Sequence, residues 1–458
     1  MLRKQNVSQA PLGRTFSNKD LLRILLPLLA EQFLTVLVGM ADTAMVSGVG
    51  ESAVAAVSLV NVLNLFLVQM FSAMSAGGAI VASQYLGSGD HENASASGHQ
   101  LFLFVSMMSL SLGAVIMLFH RPIIGLMDSG SDPVLFEQAC IYLLITAASY
   151  PFLGMYNAGI SLQRAMGNTK TSMQVSLIIN IINICGNYIF INLCKIGVAG
   201  AALATLIARM VAALVITRMM FEKHLPIHYI PLREKGFFHL NPPMIKRIFR
   251  LGVPNGVENS LFQLGRLMVT GLVATFSTPL RAAHGVCNSV TPFAFLPNTA
   301  ISLATPAIIG RLIGAGKKEE AWYYGKKLLR WLYISLFPTN LCLVLFAEPL
   351  AGMFNLSAEA IPVAAGILRM FGALSIIMYG PAFGLANVLR AAGDVRITMV
   401  FAIISMVVMR LGASYLLVYA FDLSLWGVWI AMHLDWLLRA VFFLSRFLSK
   451  KWLHKKAI

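Results

Sequence analysis

Apolar residues fall into twelve runs, near 21–46, 55–83, 97–119, 138–160, 172–193, 198–220, 250–277, 284–310, 331–347, 361–388, 397–420 and 425–448. Short polar or glycine-rich breaks separate them, such as 87–90 (GSGD) and 314–317 (GAGK). A helix crosses a bilayer in about 20 residues, so each run has nearly the length to span. Lipid cannot satisfy an open backbone N–H or C=O, which leaves the helix as the form such a run takes. The pattern therefore predicts an all-α polytopic membrane protein with twelve transmembrane helices.

Composition agrees. The 458 residues are 58% apolar and 12% charged, with a mean hydropathy of +0.75, too little charge to cover a soluble protein of this size. The net charge of +16 suggests a nucleic-acid partner only until its distribution is considered. With both termini inside, the cytoplasmic segments carry 28 Lys or Arg and the opposite breaks carry 3, Arg121, Lys195 and Arg281. Arg209, Arg266, Arg369 and Arg410 fall within apolar runs. That asymmetry is the positive-inside pattern of an even number of spans. It predicts a multi-pass protein of the plasma membrane, both termini cytoplasmic and no nucleic-acid partner. The basic N-terminal segment (Arg3, Lys4, Arg14, Lys19) precedes a run too long for a signal peptide, which is expected to stay as the first helix. The five cysteines have no metal-ligand spacing and read as small apolar fillers.

The chain also repeats itself. The 163–168 motif (QRAMGN) returns as 389–394 (LRAAGD), an offset of 226, while 86–89 (LGSG) returns as 313–316 (IGAG) and Gly200 as Gly427, both at 227. Two six-helix halves follow, with an even helix count that makes the repeats parallel, packed around a central cavity and able to rock against each other. The expected domains are an N-terminal lobe over 1–225, a basic, proline-containing cytoplasmic linker over 226–247 and a C-terminal lobe over 248–458.

Ionisable residues inside spans are costly and each needs a reason. Asp42 and Glu31 lie eleven residues apart on helix 1, about three turns, and so share a face. Glu258 follows a Pro254-Asn255-Gly256 break in helix 7, and Asp435 stands four residues before Arg439 in helix 12. Water-poor surroundings penalise an ionised carboxylate, so each could take up a proton or hold Na⁺, or could instead be half of a structural ion pair. For Asp435 the neighbouring Arg439 favours the pair. Asn180, Asn183 and Asn187 on helix 5 and Asn157 on helix 4 could ligate a cation or simply hold helices together. Asn61 and Asn64 on helix 2 read first as structural.

These residues together resemble the multidrug and toxic compound extrusion (MATE) family, NorM-like branch, over nearly the whole chain. The resemblance rests on 38–46 (VGMADTAMV), 82–87 (ASQYLG), 163–170 (QRAMGNTK), 197–205 (GVAGAALAT), 388–394 (VLRAAGD) and 446–452 (RFLSKKW), in this order. It implies a secondary transporter that exports organic, often cationic and amphipathic compounds by antiport with Na⁺ or H⁺. The family's helix 1 aspartate is similar to Asp42 and its helix 7 glutamate to Glu258. Its N-lobe cation site is similar to Asn157, Asn183 and Thr205, with Na⁺ expected at Asp42 and Asn183. Two positions depart from the family. Asn187 stands where some members carry a second aspartate, and Tyr379 stands where NorM-type members carry a helix 10 aspartate.

No phosphate loop, nucleophile elbow or metal-binding spacing occurs in the sequence, so neither an enzyme nor a cofactor is expected beyond the coupling ion. The expected partners are small organic substrates and membrane lipid, for a monomer. A lipid-linked precursor flippase of the same superfamily is the alternative, which the four intramembrane arginines would serve if they faced the cavity.

Overall fold

The computed structural model describes residues 15–127, 132–231, 236–354, 356–455 and 457–458, without the side chains of Met40, Thr43, Ala44 and Ser47. The basic N-terminal residues Arg3, Lys4 and Arg14 lie outside the described residues. Twelve spanning elements follow in order. The first six are α1 (Asn18–Ser47), α2 (Glu51–Ser88), α3 (His91–Leu118), α4 (Pro133–Ala148 continued by Tyr150–Ala165), α5 (Thr169–Leu193) and α6 (Val198–Met220). The second six are α7 (Pro242–Val273), α8 (Thr278–Gly314), α9 (Lys318–Leu345), α10 (Ala360–Ala391), α11 (Val395–Tyr419) and α12 (Ser424–Leu448). Ten of these are each long and apolar enough to cross a membrane, and the bent α4 makes eleven. The twelfth, α7, opens with Lys246, Arg247 and Arg250 and is less apolar.

The chain divides into two compact units, Met1–Val253 with Ile458, and Pro254–Ala457. The division falls inside α7 at Pro254, which is the counterpart of Pro27 in α1 at the repeat offset of 227. The linker stretch packs on the first unit. His99 Nε2 lies 2.7 Å from the Phe237 carbonyl, and Gln100 donates to the His239 carbonyl at 2.7 Å while accepting from the Asn241 N–H at 2.9 Å.

The repeat shows in how helices begin and end. Ser17 and Asp20 form a reciprocal capping box at the start of α1. At the end of α2, Gly89 takes φ +81°, and the Asp90 N–H donates back to the Tyr85 carbonyl at 3.1 Å. Gly316 after α8 takes φ +73° and the Lys317 N–H donates to Leu312, an identical closure that needs a residue free to enter the left-handed region. Asp90 then caps α3, and the Asn93 side chain, with its backbone N–H, holds this exposed carboxyl below its ordinary value. Short helices also recur after the third span of each half, His120–Met127 and Ala347–Gly352, 227 residues apart.

Buried charges tie the helices of each half. In the first, Arg164 at the end of α4 donates to Glu31 of α1 at 2.5 Å, and Ser172 of α5 closes the ring by donating to the other Glu31 oxygen at 2.8 Å and accepting from Arg164 at 2.9 Å. In the second, Arg390 of α10 donates to Glu258 of α7 at 2.5 Å. Glu31 and Glu258 are 227 residues apart, Arg164 and Arg390 are 226, and the two pairs are therefore one device used twice. The closing hydroxyl is missing from the second. Thr398 donates to its own helix at Val395, leaving Glu258 Oε2 and Arg390 Nε buried with no hydrogen-bond partner among the described residues.

Close approach of α2 and α7 within the first unit rests on two glycines. A Cβ at Gly77 would come within 2.6 Å of the Gly252 nitrogen, so no side chain fits there without parting the helices. Gly77→Val is expected to lower the yield of folded protein sharply, as read by monodisperse elution from detergent, while Gly39→Val, where a Cβ meets nothing within 4 Å, should be tolerated. Breaking a buried ion pair by removing one partner costs about 3–5 kcal/mol. Glu31→Ala should therefore drop the midpoint of heat-induced loss of monodisperse protein by several degrees. Removing both partners, in Glu31→Ala/Arg164→Ala, should recover part of that loss. An equal or larger loss in the double variant would show that the pair is not the source of the effect.

Candidate functional site

Each half needs somewhere for polar groups that are not paired off, and in the first half that place is a cavity of about 550 Å³. It is lined from α1, α2, α4, α5 and α6, and its walls include Asp42, Asn61, Asn64, Asn183, Asn187 and Arg209. Asp42 and Glu31 both meet α5. Asp42 faces Asn183 and Glu31 faces Ser172, each 141 positions on, so α1 and α5 run parallel in one register.

Among the described residues, neutral groups alone partner Asp42. Asn187 Nδ2 donates to Asp42 Oδ1 at 2.7 Å. One end of the Asn183 amide lies 2.8 and 3.1 Å from the two Asp42 oxygens and donates to both when that end is its NH₂. The other end lies 3.3 Å from Thr205 Oγ1, whose hydroxyl donates to the Ala201 carbonyl at 3.0 Å. No Lys or Arg lies within ion-pair distance of Asp42 among the described residues. An amide can present either its donor or its acceptor to the same point, so this cluster can bind the ionised carboxylate or join it in holding a cation.

The remaining cavity wall carries Arg209, which donates to Ser149 Oγ at 2.7 Å. Ser149 sits at the 45° bend of α4, where Pro151 withholds an N–H from the helix ladder, and the Ser149 hydroxyl donates to the Thr146 carbonyl at 2.6 Å. Tyr150 Oη donates to Asn64 Oδ1 at 2.6 Å, and Asn64 donates on to Asn61 at 3.3 Å.

Of the residues singled out from the sequence, Asp42, Asn183, Asn187 and Thr205 come together. Asn157 does not line the cavity, and its buried Nδ2 has no hydrogen-bond partner among the described residues. Glu31 is held by Arg164 and Ser172. Glu258 is held by Arg390, and among the described residues no hydrogen bond joins it to Tyr379. The Tyr379 ring stacks on Phe295 at 4.3 Å and Phe383 at 4.5 Å and meets Trp436 edge-on at 5.3 Å, one member of an aromatic cluster. Asp435, fully buried, accepts from Arg439 at 2.8 Å, Arg410 at 3.5 Å and Ser405 at 2.6 Å. Asn180 adds a further amide to the cavity. Arg209 was missed as a site residue, although its place in an apolar run marked it. Among the other intramembrane arginines, Arg369 pairs with Glu348 at an exposed position, and Arg266 and Arg410 line a small pocket of the second half.

Comparison with known proteins places this architecture. The MatE family model matches residues 27–189 and again 254–416, starting at 254 against 27 and so 227 residues apart. The uncharacterized transporter YisQ of Bacillus subtilis is 28% identical over 99% of this chain and 98% of its own length. The probable multidrug resistance protein NorM of Thermotoga maritima is 28% identical over 96% of this chain and 94% of its own. Among solved structures, one described as MATE in the bent conformation matches with a TM-score of 0.86 at 21% identity, covering 94% of this chain and 96% of that one. An outward-facing MATE family transporter matches at 0.83 and 22% identity, covering 94% and 96%. A family match that recurs in both halves and covers most of the sequence means that the chain belongs to the MatE family of membrane transporters.

Proposed function

We propose that this transporter exports small organic, often cationic and amphipathic compounds from the cell by antiport with Na⁺ or H⁺, through alternating access between its two halves. The observation that carries the reading is the Asp42 cluster. It is a carboxylate inside a spanning helix, at the wall of a large cavity, partnered by the rotatable amides of Asn183 and Asn187 and, among the described residues, by no fixed cation. An unpaired intramembrane carboxylate is expensive unless it does something, and neutralising its charge is what an incoming cation does.

With the site empty of cation, Asn187 and the NH₂ of Asn183 satisfy the ionised Asp42. When H⁺ arrives, the carboxyl becomes a donor and needs an acceptor, which Asn183 supplies by turning its carbonyl inward. When Na⁺ arrives, the same turned carbonyl, with Asp42 and Thr205, offers the hard oxygen ligands such a cation takes. Either event cancels a buried negative charge and changes which helices are bound together, since the partners come from α1, α5 and α6. Differential binding of this kind is what moves a two-state equilibrium. An organic cation competes for the same carboxylate, so entry of the coupling ion and release of the substrate are linked.

Glu258 occupies the repeat position of Glu31, and its carboxylate is engaged by Arg390, so the reading puts coupling in the first half. Export of a fluorescent organic cation from cells under imposed Na⁺ or pH gradients tests it. Asp42→Asn is expected to lose gradient-driven export at least tenfold while keeping wild-type elution from detergent. Glu258→Gln is expected to keep the response to the gradient at a lower protein level. Unchanged gradient-driven export in Asp42→Asn would overturn the assignment.

A further inference from the structure

At the repeat offset of 227, five residues of the Asp42 cavity wall have counterparts gathered in one place in the second half. Gly39 becomes Arg266, Asp42 becomes Val269, Val57 becomes His284, Asn61 becomes Asn288, and Asn183 becomes Arg410. All five of these second-half residues line a single pocket, joined by Trp429. The two pockets are repeat equivalents with opposite polarity. Where the first has a carboxylate the second has an apolar side chain, and where the first has a glycine and an amide the second has two guanidinium groups.

The charges around this second pocket do not balance. Arg410 and Arg439 share the one carboxylate of Asp435, at 3.5 and 2.8 Å. Arg266 has no ion-pair partner among the described residues. Two buried guanidinium groups and the exposed one of Arg266 thus stand against one carboxylate, an excess of positive charge that an anion would offset. Buried donors point the same way. Trp429 is 3% exposed and its Nε1 has no hydrogen-bond partner among the described residues. Asn288 Nδ2 lies 2.7 Å from His284 Nε2, and when it donates there the ring proton sits on Nδ1, which also lacks an acceptor. A pocket of about 50 Å³ holds a few non-hydrogen atoms, since about 10–15 Å³ accommodates one water.

From this we infer that the second half carries an anion-binding site, sized for a carboxylate group and held by Arg266, Arg410 and Trp429, at the position equivalent to the first half's cation site. The planar guanidinium fork matches a carboxylate in two parallel hydrogen bonds, and the indole N–H adds a third donor. Its natural ligand is an organic acid, or the acid end of a zwitterion, whose remaining body lies outside the pocket. The site is separate from the Asp42 cluster, and its occupation does not depend on the coupling proposed there.

Because Trp429 is part of the wall, tryptophan fluorescence of the purified full-length protein in detergent reads the site. Sodium acetate is titrated against sodium chloride at constant sodium and ionic strength. Wild type is expected to give a saturable response, with tetraethylammonium chloride giving none. Trp429→Phe should lose the response, Arg266→Gln should raise the half-saturating concentration at least tenfold, and Asp42→Asn should leave it unchanged. Val269→Asp restores the acid of the first half and places a carboxylate beside Arg266, so it should fill the site from within, abolish the acetate response and elute as folded protein. No saturable response in wild type, a response equal to wild type in Arg266→Gln or Val269→Asp, or one moved by Asp42→Asn would overturn the inference.

Discussion

A charged side chain carried into hydrocarbon must find its counterpart within the protein, because lipid supplies neither water nor an opposing charge. That constraint decides most of what is distinctive here. It forces Glu31 onto Arg164, Glu258 onto Arg390 and Asp435 between Arg410 and Arg439. The Glu31–Arg164 and Glu258–Arg390 pairs join helices far apart in the sequence, and Arg410–Asp435 joins α11 to α12, so there satisfying the charge and fixing the packing are one event. The same constraint makes informative any group that remains without a full counter-charge. Asp42 and Arg266 are two such groups, one in each half.

Duplication explains why those groups occupy related places. A six-helix unit copied in parallel begins with identical walls in both halves, and the tie between first and fourth helix survives in both. Divergence then acts where packing does not hold a residue fixed. The glycine turns at Gly89 and Gly316 cannot drift, since only glycine readily takes their backbone angle. Wall positions of a cavity are freer, and there the halves have parted in polarity, from Asp42 to Val269 and from Gly39 to Arg266.

The spans were legible because hydrophobic length is a one-dimensional property. Even α7, the least apolar, stood out as a run from 250. Less visible was the 45° bend of α4, which reads as one run until Ser149 and Pro151 are given three-dimensional roles. Of the site, Asp42, Asn183 and Asn187 could be named in advance because polar residues are conspicuous in apolar runs, and Thr205 through the resemblance to the family. Their partners could not, since the register of α1 against α5 is set by packing. Asn157 illustrates the limit, as a polar residue in the right helix that does not line the cavity. Glu258 illustrates a signal present and unused, for the offset of 227 already equates it with Glu31.

Glu31 and Asp42 share a face of α1 and meet the same helix, so the difference between a tie and a switch lies in what surrounds them. Glu31 receives a full positive charge from Arg164, and a cation arriving there would meet a carboxylate already neutralised. Asp42 receives only amide dipoles. An amide rotated half a turn replaces a donor with an acceptor at nearly the same point, so the walls fit the carboxylate whether it is ionised or has taken up a cation. The exchange proposed above needs no backbone movement of its own, yet it would transfer hydrogen bonds among α1, α5 and α6. Surrounding an acid with amides rather than guanidinium groups therefore leaves its charge to be set from solution, and the helices that share those amides feel the result.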